Sequence, residues 1–396
     1  MKIAIFTDTF YPQLNGVSNF AFFCAEGLSA RGHEVQVFTA ISPKDAEALD
    51  CSQLKFKINS IPSLPAPVYR SGHYRVAIPA GWSLRELKKF NPDVIHVHTP
   101  FAMGMEAARG AKKLKIPLVG EHHTFYDHYL KHLKMDYRWA KKASWKITVR
   151  YYNKCDLVVS PSKSLAETLQ EFGLTKPTCV IPNGINTDLF YPLKPEEKNK
   201  IKKIYGIEGL SVVYMGRVSY EKNIAQVING FAELLKEDGM KNVKLMLVGD
   251  GPERENLENL IKELKIEKSM VWTGILRGED LAKALAANDV FVTASKSENM
   301  PLSVIEAMAA GLPLVLAAEK GLKEMIKDGR NGYLFNADDA KEMAGKIKEI
   351  LENEELRKKM AENSRIIAMG YSSKKVMAMF EECYQEAINN FKNKTE

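Results

Sequence analysis

The 396-residue chain is poor in cysteine. It has five (Cys24, Cys51, Cys155, Cys179, Cys383), far apart, odd in number and without a C-x-x-C pair. That argues against a disulfide scaffold or a thiolate zinc site and for a reducing compartment. Long apolar runs are also missing: no stretch approaches the roughly 18 residues that span a bilayer. The opening MKIAIFTDTF carries a lone Lys2 and a four-residue apolar run, and reads as a first strand, not a leader peptide. There is no internal repeat, no low-complexity tract, no H-E-x-x-H and no nucleic-acid-binding signature. G-x-G-x-x-G is missing too. LVGDGPEREN offers G-x-G after an apolar run, but Glu253 and Glu255 would repel a pyrophosphate from the helix start that follows.

What remains is ordinary globular material, 45% apolar and 27% charged. At roughly 150 residues per domain the length gives two or three, and two is the starting expectation. Short β-branched runs (KIAIF, VQVF, VIHVH, PLVG, LVVS, then SVVYMG, LMLVG, DVFVTAS, LPLVLA) alternate with helix-length amphipathic stretches. This predicts an α/β protein with two doubly wound parallel sheets, facing each other across a cleft that takes ligands at the strands' carboxyl ends. Residues 183–200 read as a linker. The expected domains are 1–190 and 200–370, with a helix over about 371–396 packing back on the body. Charge is uneven: residues 1–190 hold 24 Lys and Arg against 16 Asp and Glu, the remainder 32 against 33. The excess is a patch, and residues 131–154 alone hold eight cations and one anion.

SVVYMG runs into GRVSYEKN, so a strand end presents Arg217 and Lys222 in one short loop. A planar fork and a point charge suit a diphosphate; two solvated loop charges are the alternative. DVFVTAS leads through KSENMP into the helix LSVIEAMAAG, with Pro301 at its start and Gly311 at its end. The amides around Asn299–Ser303 then lie at the positive end of a helix dipole, with Glu298 just before it. Glu306 stands among Val304, Ile305, Ala307 and Met308. There it either accepts from a vicinal diol such as a ribose or lies on the surface. Six of the eight histidines lie between His96 and His132. His96 and His98 share a strand face, His122 and His123 follow PLVG, and no motif supports a metal site. Gly16 opens a helix after the first loop, where it permits close backbone approach.

Over 131–154 the wheel puts Leu133, Tyr137, Ala140, Ile147 and Tyr151 on one core-facing stripe. Lys134, Arg138, Lys142, Lys146, Arg150 and Lys154 recur at i+4 on the opposite arc, with Trp139, Trp145 and Tyr152 among them. Such a mixture fits the surface of an anionic membrane. A solvated basic face and a nucleic-acid surface are the alternatives, and the small-anion motifs elsewhere favour lipid over nucleic acid.

Taken together, Gly16, GRVSYEKN, GDGP, SENMPLSVIEAMAAGLP, IPNGIN and GLKEMIKDGRNGYLF resemble the family-4 retaining glycosyltransferases. HVHTPFAMG and EHHTFYDHY look like its diacylglycerol glucosyltransferase branch. The resemblance implies the GT-B fold, two Rossmann-like domains with the nucleotide sugar held mainly by the second. It implies that Gly16 admits the donor phosphates, that Arg217 and Lys222 neutralise the diphosphate, and that Glu306 holds the ribose. Glu298, with Asn299, Met300, Pro301 and Leu302, would hold the transferred sugar and phosphate oxygens. His123, in preference to His122, would contact the donor sugar, and Asp127 would orient the acceptor. The catalytic set is then His123, Glu298, Arg217 and Lys222. Lipid and membrane contacts fall to Asp127, Lys134, Arg138, Trp139, Lys142, Trp145 and Lys146.

The implied reaction moves a hexose, glucose from UDP-glucose, to a diacylglycerol-type lipid, without metal or other cofactor, the nucleotide sugar being a co-substrate. The implied location is the cytoplasm, peripherally on the inner face of the cell membrane. Two readings stand beside it: a GDP-mannose or soluble-acceptor transferase of the same fold, and a silent sugar-nucleotide or lipid-surface binding protein.

Overall fold

The structure is a computed structural model, and it describes residues 1–11, 13, 15–42, 54–65, 75–123, 137–319 and 321–395. The chain forms two compact units, Met1–Gly184 with Ser373–Glu396, and Ile185–Ser372. In the first unit the strands are β1 (Lys2–Thr7), β2 (Glu34–Thr39), β3 (Lys57–Ser60), β4 (Ser63–Pro65), β5 (Arg75–Ala77), β6 (Val94–Val97), β7 (Leu118–Glu121), β8 (Leu157–Ser160) and β9 (Thr178–Val180). Its helices are α1 (Gly16–Ala30), α2 (Leu84–Phe90), α3 (Ala102–Leu114), α4 (Arg138–Tyr152) and α5 (Lys163–Glu171).

The second unit runs α6 (Pro195–Ile204), β10 (Ser211–Met215), α7 (Ile224–Leu234), β11 (Lys244–Val248), α8 (Arg254–Glu263), β12 (Met270–Gly274) and α9 (Gly278–Ala286). It continues through β13 (Val290–Thr293), α10 (Leu302–Ala309), β14 (Leu314–Ala317), α11 (Leu322–Met325), β15 (Gly332–Phe335), α12 (Ala340–Glu352) and α13 (Glu354–Ala368). The last helix, α14 (Ser373–Thr395), belongs to the first unit.

Both main sheets are parallel throughout, in the orders β3-β2-β1-β6-β7-β8-β9 and β12-β11-β10-β13-β14-β15, with β4 and β5 as a separate antiparallel pair. Each sheet reverses its winding once, between β1 and β6 and between β10 and β13; such a switch point is where open α/β sheets bind ligands. Alternation along β1 shows why the strands read as unbroken apolar runs. Ile3 and Ile5 join a core with α1 and α14, while Ala4 and Phe6 join another with α3 and α4. Covered on both faces, the strand has no polar side to show. The same two-residue period puts Val94 and His96 of β6, and Val119 and Glu121 of β7, on the α1/α14 face.

On α14, Val376, Met377, Phe380, Cys383, Tyr384 and Ala387 are buried, a helical stripe that covers α1, β6 and β7. Of the stretch 183–200, the unit boundary takes Gly184 and Ile185, and the C-terminal part is already α6. Pro195 opens that helix, with Glu196 and Glu197 at its positive end. Lys202 ties it to the sheet: its Nζ lies 2.5 Å from Asp289 Oδ2, and Asp289 also accepts from the Ser211 amide at 2.9 Å.

Candidate active-site clusters

In the second unit, the loop after β10 is held by backbone bonds to the loop after β11. Gly216 N donates to Val248 O at 3.0 Å, Val218 N to Asp250 O at 3.0 Å, and Glu253 N to Val218 O at 3.2 Å. Gly249 has φ +135°, and a Cβ there would lie 2.0 Å from Gly216 O; one on Gly251 would lie 2.2 Å from Val218 O. The glycines of G-D-G-P therefore serve protein–protein approach, and the motif is a clamp for the Arg217 loop, not a dinucleotide cradle. Arg217 is exposed, and no described residue hydrogen-bonds its guanidinium. Lys222 ends a short 3-10 turn and pairs with Glu298, Nζ to Oε1 2.5 Å. Asn223, at φ +53°, ties this loop to the end of β13 through its Nδ2, which donates to Ala294 O at 3.1 Å.

Helix α10 begins after Pro301 with no side chain accepting from its first-turn amides, and ends at Gly311, φ +75°. The uncapped start is a partial positive charge with donors to spare. Asn299 and Met300 are buried, and Pro301 and Leu302 are half-buried. Gly321 admits the close approach of the Asn299 backbone, because a Cβ on it would fall 1.5 Å from Asn299 O. Glu306 is half-buried between the buried Ile305 and Ala307. Burial pushes its carboxyl up to about 7, and no described residue donates to it. This unit thus brings Arg217, Lys222, Glu298, the α10 start and Glu306 onto the loops and first turns beyond the β10/β13 switch.

In the first unit, Gly16 opens α1 behind a capping box of Asn15 and Ser18. A Cβ on Gly16 would meet nothing within 4 Å, so this unit does not itself require a glycine there. Strand alternation separates the adjacent histidines. His122 lies edge-on to Trp145 (5.7 Å) and Tyr152 (5.2 Å) on the α4 side, while His123 lies on the α1 side, edge-on to Phe20 at 5.5 Å. Burial, then the neighbouring His123, lowers His122 to about 3; burial also lowers His123, to about 4, against the pull of Glu121. His96, His98 and Glu121 are fully buried beside His123, and their ligating atoms lie within 4.8 Å of one another. Sequence reasoning did not pick Glu121. It also missed Asp8 at the end of β1, which accepts from Met103 N at 3.0 Å and from the Thr99 hydroxyl, and so caps α3; burial raises it to about 6. A lone acid after a strand gives no hint of a helix start 94 residues on.

Helix α4 corrects part of the wheel. Trp145 is 4% exposed, stacked on Phe172 at 5.2 Å, and Tyr152 is fully buried, so neither belongs to an interfacial face. Tyr137 and Ile147 are 59% and 71% exposed and do not pack on the core. The buried stripe is Ala140, Trp145, Thr148, Val149, Tyr151 and Tyr152. The opposite face carries Arg138, Trp139 (66% exposed), Lys142, Lys146, Ile147 and Arg150. Asp127, His128, His132, Leu133 and Lys134 lie outside the described residues.

Two family models match the chain: Glycosyltransferase Family 4 over residues 14–189 and Glycosyl transferases group 1 over residues 197–366. An alpha-monoglucosyldiacylglycerol synthase of Acholeplasma laidlawii is 29% identical over 398 residues, 98% of each chain. One from Streptococcus pneumoniae is 30% identical over 89% of this chain and 78% of its own length. A GDP-mannose-dependent alpha-mannosyltransferase of Corynebacterium glutamicum is 29% identical over 86% and 78%. Among solved structures, Anabaena Alr3699/HepE in complex with UDP matches with a TM-score of 0.80 at 20% identity, covering 98% of this chain and 100% of that one.

Proposed function

This chain is a family-4 glycosyltransferase of the GT-B fold, and on that premise we propose that it moves glucose from UDP-glucose to a diacylglycerol-type lipid at an anionic membrane surface, with retention of configuration. The observation that carries the donor half is Glu306. A half-buried carboxyl pushed up to about 7, with no donor from the protein and one turn inside an uncapped helix, is matched by the two hydroxyls of a ribose. The diphosphate then meets the α10 amides, Arg217 and Lys222. Each charge-assisted hydrogen bond contributes roughly 1.5–3 kcal/mol once desolvated. Glu298, already oriented by Lys222, takes the sugar hydroxyls, Gly16 leaves room for a phosphate, and His123 contacts the donor sugar.

Departure of the sugar breaks the bond from the anomeric carbon to the diphosphate oxygen. Negative charge grows on that oxygen, and preorganised cations and a helix terminus stabilise it where it develops. Among the described residues no carboxylate stands out as a covalent nucleophile. The acceptor hydroxyl therefore attacks from the face the diphosphate leaves, its oxygen bonding to the anomeric carbon and its proton passing to the departing phosphate. Arg217 and Lys222 supply the positive charge that a bound divalent cation supplies in other transferases.

The lipid half is supported by the exposed α4 face, where Arg138, Lys142, Lys146 and Arg150 surround Trp139 and Ile147. Near an anionic surface each cation adds about 1 kcal/mol, and the two apolar side chains can enter the headgroup layer. No described helix is long and apolar enough to cross a membrane. Radiolabelled UDP-glucose with anionic vesicles containing diacylglycerol tests the reading, with GDP-mannose and a soluble sugar acceptor as parallel arms. Labelled glycolipid from UDP-glucose is expected. Transfer only from GDP-mannose, or only to the soluble acceptor, overturns it. Nucleotide binding with no transfer in any arm returns the silent binding protein.

A further inference from the structure

Glu106 and Glu121 are the fully buried carboxylates among the described residues of the first unit, and they are held in opposite ways. Glu106 accepts from the Gly81 and Ser83 amides and the Ser83 hydroxyl, each at 2.8 Å, a self-contained structural use. Glu121 has no such donors. It faces three imidazoles, with His96 Nε2 at 3.1 Å, His98 Nδ1 at 3.0 Å and His123 Nε2 at 3.6 Å from its Oε2. These contacts are close but poorly aligned as hydrogen bonds, so the attraction is largely coulombic.

We propose that Glu121 is a positioning residue for His123, acting through His98, so that a buried charge sets the tautomer and ring orientation of the imidazole that meets the donor sugar. The inference rests on the role of His123 proposed above. An ionised carboxylate accepts and never donates, so its charge favours hydrogens on the ring nitrogens nearest it, at 3.0 and 3.1 Å: Nδ1 of His98 and Nε2 of His96. The Tyr384 hydroxyl, from α14, lies 2.8 Å from His96 Nδ1, and donates to it in this tautomer. His98 Nδ1 lies 3.0 Å from His123 Nε2, so the hydrogen that Glu121 favours there is the one bonded to His123. His123 is thereby held with Nε2 as acceptor and its own hydrogen on Nδ1. Its ring is fixed by a stack on His98 (5.3 Å, 10° between planes) and by the edge contact with Phe20.

The remaining groups that face Glu121 cannot take over the task. Cys24 of α1 and Tyr384 of α14 are raised by burial, and Cys383 of α14 by the Cys179 thiol and then burial, so all three keep their protons. His122 points to the α4 side. Burial works to raise Glu121, but the facing imidazoles prevail, His123 first, and hold it well below the ordinary carboxylate range. Burial lowers His98, so the tautomer of its neutral ring is what Glu121 controls.

The experiment is nitrogen-15 NMR of histidine-labelled full-length protein, wild type against Glu121→Gln, with His123 assigned by its absence in His123→Ala. The wild type is expected to show His123 as a single Nδ1–H tautomer. In Glu121→Gln the amide can present a donor to His98 Nδ1, and His123 should become a mixture. If Glu121→Gln does not fold, His98→Asn cuts the same link and is read in the same way. In turnover, either variant should lose on the order of ten- to a hundredfold in kcat with donor KM unchanged, as for residues that orient a first-contact histidine. An unchanged His123 tautomer in the variant overturns the proposal, as does one equivalent of metal in the purified protein held by His96, His98 and Glu121. Because the NMR needs no substrate, failure of the glucosyl-transfer reading appears separately, as absence of turnover in the wild type.

Discussion

Replacing Glu306 by Gln should stabilise the empty protein at alkaline pH while weakening its hold on the nucleotide. In the folded state the carboxyl is raised from 4.5 to about 7 by burial. The sign follows from proton binding. Between these two values the folded state holds the proton that the unfolded chain has released, so stability falls as pH rises through that window. A shift of 2.5 units at 1.36 kcal/mol per unit is about 3 kcal/mol at pH 8, and under about 1 kcal/mol at pH 5. Glutamine has no charge to desolvate and recovers that amount. For a unit of this size it corresponds to a rise of roughly 6–12 °C in Tm at pH 8. Scanning calorimetry on wild type and Glu306→Gln at pH 5 and pH 8, with and without UDP, reads both halves. A gain that is equal at the two pH values, or absent at pH 8, refutes the reasoning about desolvation. With UDP present the order should reverse in affinity. The wild type binds more tightly as pH rises through 7, because the ionised form accepts from the ribose hydroxyls. The variant should bind about tenfold more weakly at pH 8 and lose the pH dependence. Equal UDP affinity in the two proteins at pH 8 removes Glu306 from the nucleotide site.

Arg217→Ala should leave Tm within about 1 °C, since the side chain is exposed and no described residue hydrogen-bonds its guanidinium, while lowering kcat/KM by roughly tenfold or more; steady-state kinetics against a thermal melt check it. Gly249→Ala drives a Cβ to within 2.0 Å of Gly216 O at φ +135°, and should lower Tm and donor affinity together by displacing the Arg217 loop. Changing Arg138, Lys142, Lys146 and Arg150 to Glu should abolish sedimentation with anionic vesicles and leave UDP affinity unchanged by calorimetry. Gly16→Ala should leave the fold intact by circular dichroism and raise donor KM.

The parallel sheets were legible because a strand covered on both faces has to be apolar along its whole length, and runs such as KIAIF and SVVYMG have few other uses. The second-unit cluster was legible for a related reason: its residues sit within a few positions of strand ends and helix starts, so local spacing places them. The α4 face was only half legible. Aromatic side chains occur on both arcs of that helix, and what decides the matter for Trp145 is Phe172, which lies beyond the next strand and helix in the chain. Glu121 was hidden in the same way. In the sequence it is an acid before two histidines; its significance comes from His96 on the neighbouring strand, His98 just past that strand's end and Tyr384 from the far end of the chain.

The last helix has a consequence for synthesis. Because α14 completes the core over α1, β6 and β7, the first 184 residues leave the ribosome with the seat for Val376, Phe380 and Tyr384 vacant. The whole second unit must then be translated before the missing piece arrives, about ten to forty seconds at 5–20 residues per second. Throughout that interval an oily trough is open to nascent neighbours, so a chaperone that shields it, or a slowly translated stretch ahead of Ile185, bears directly on yield.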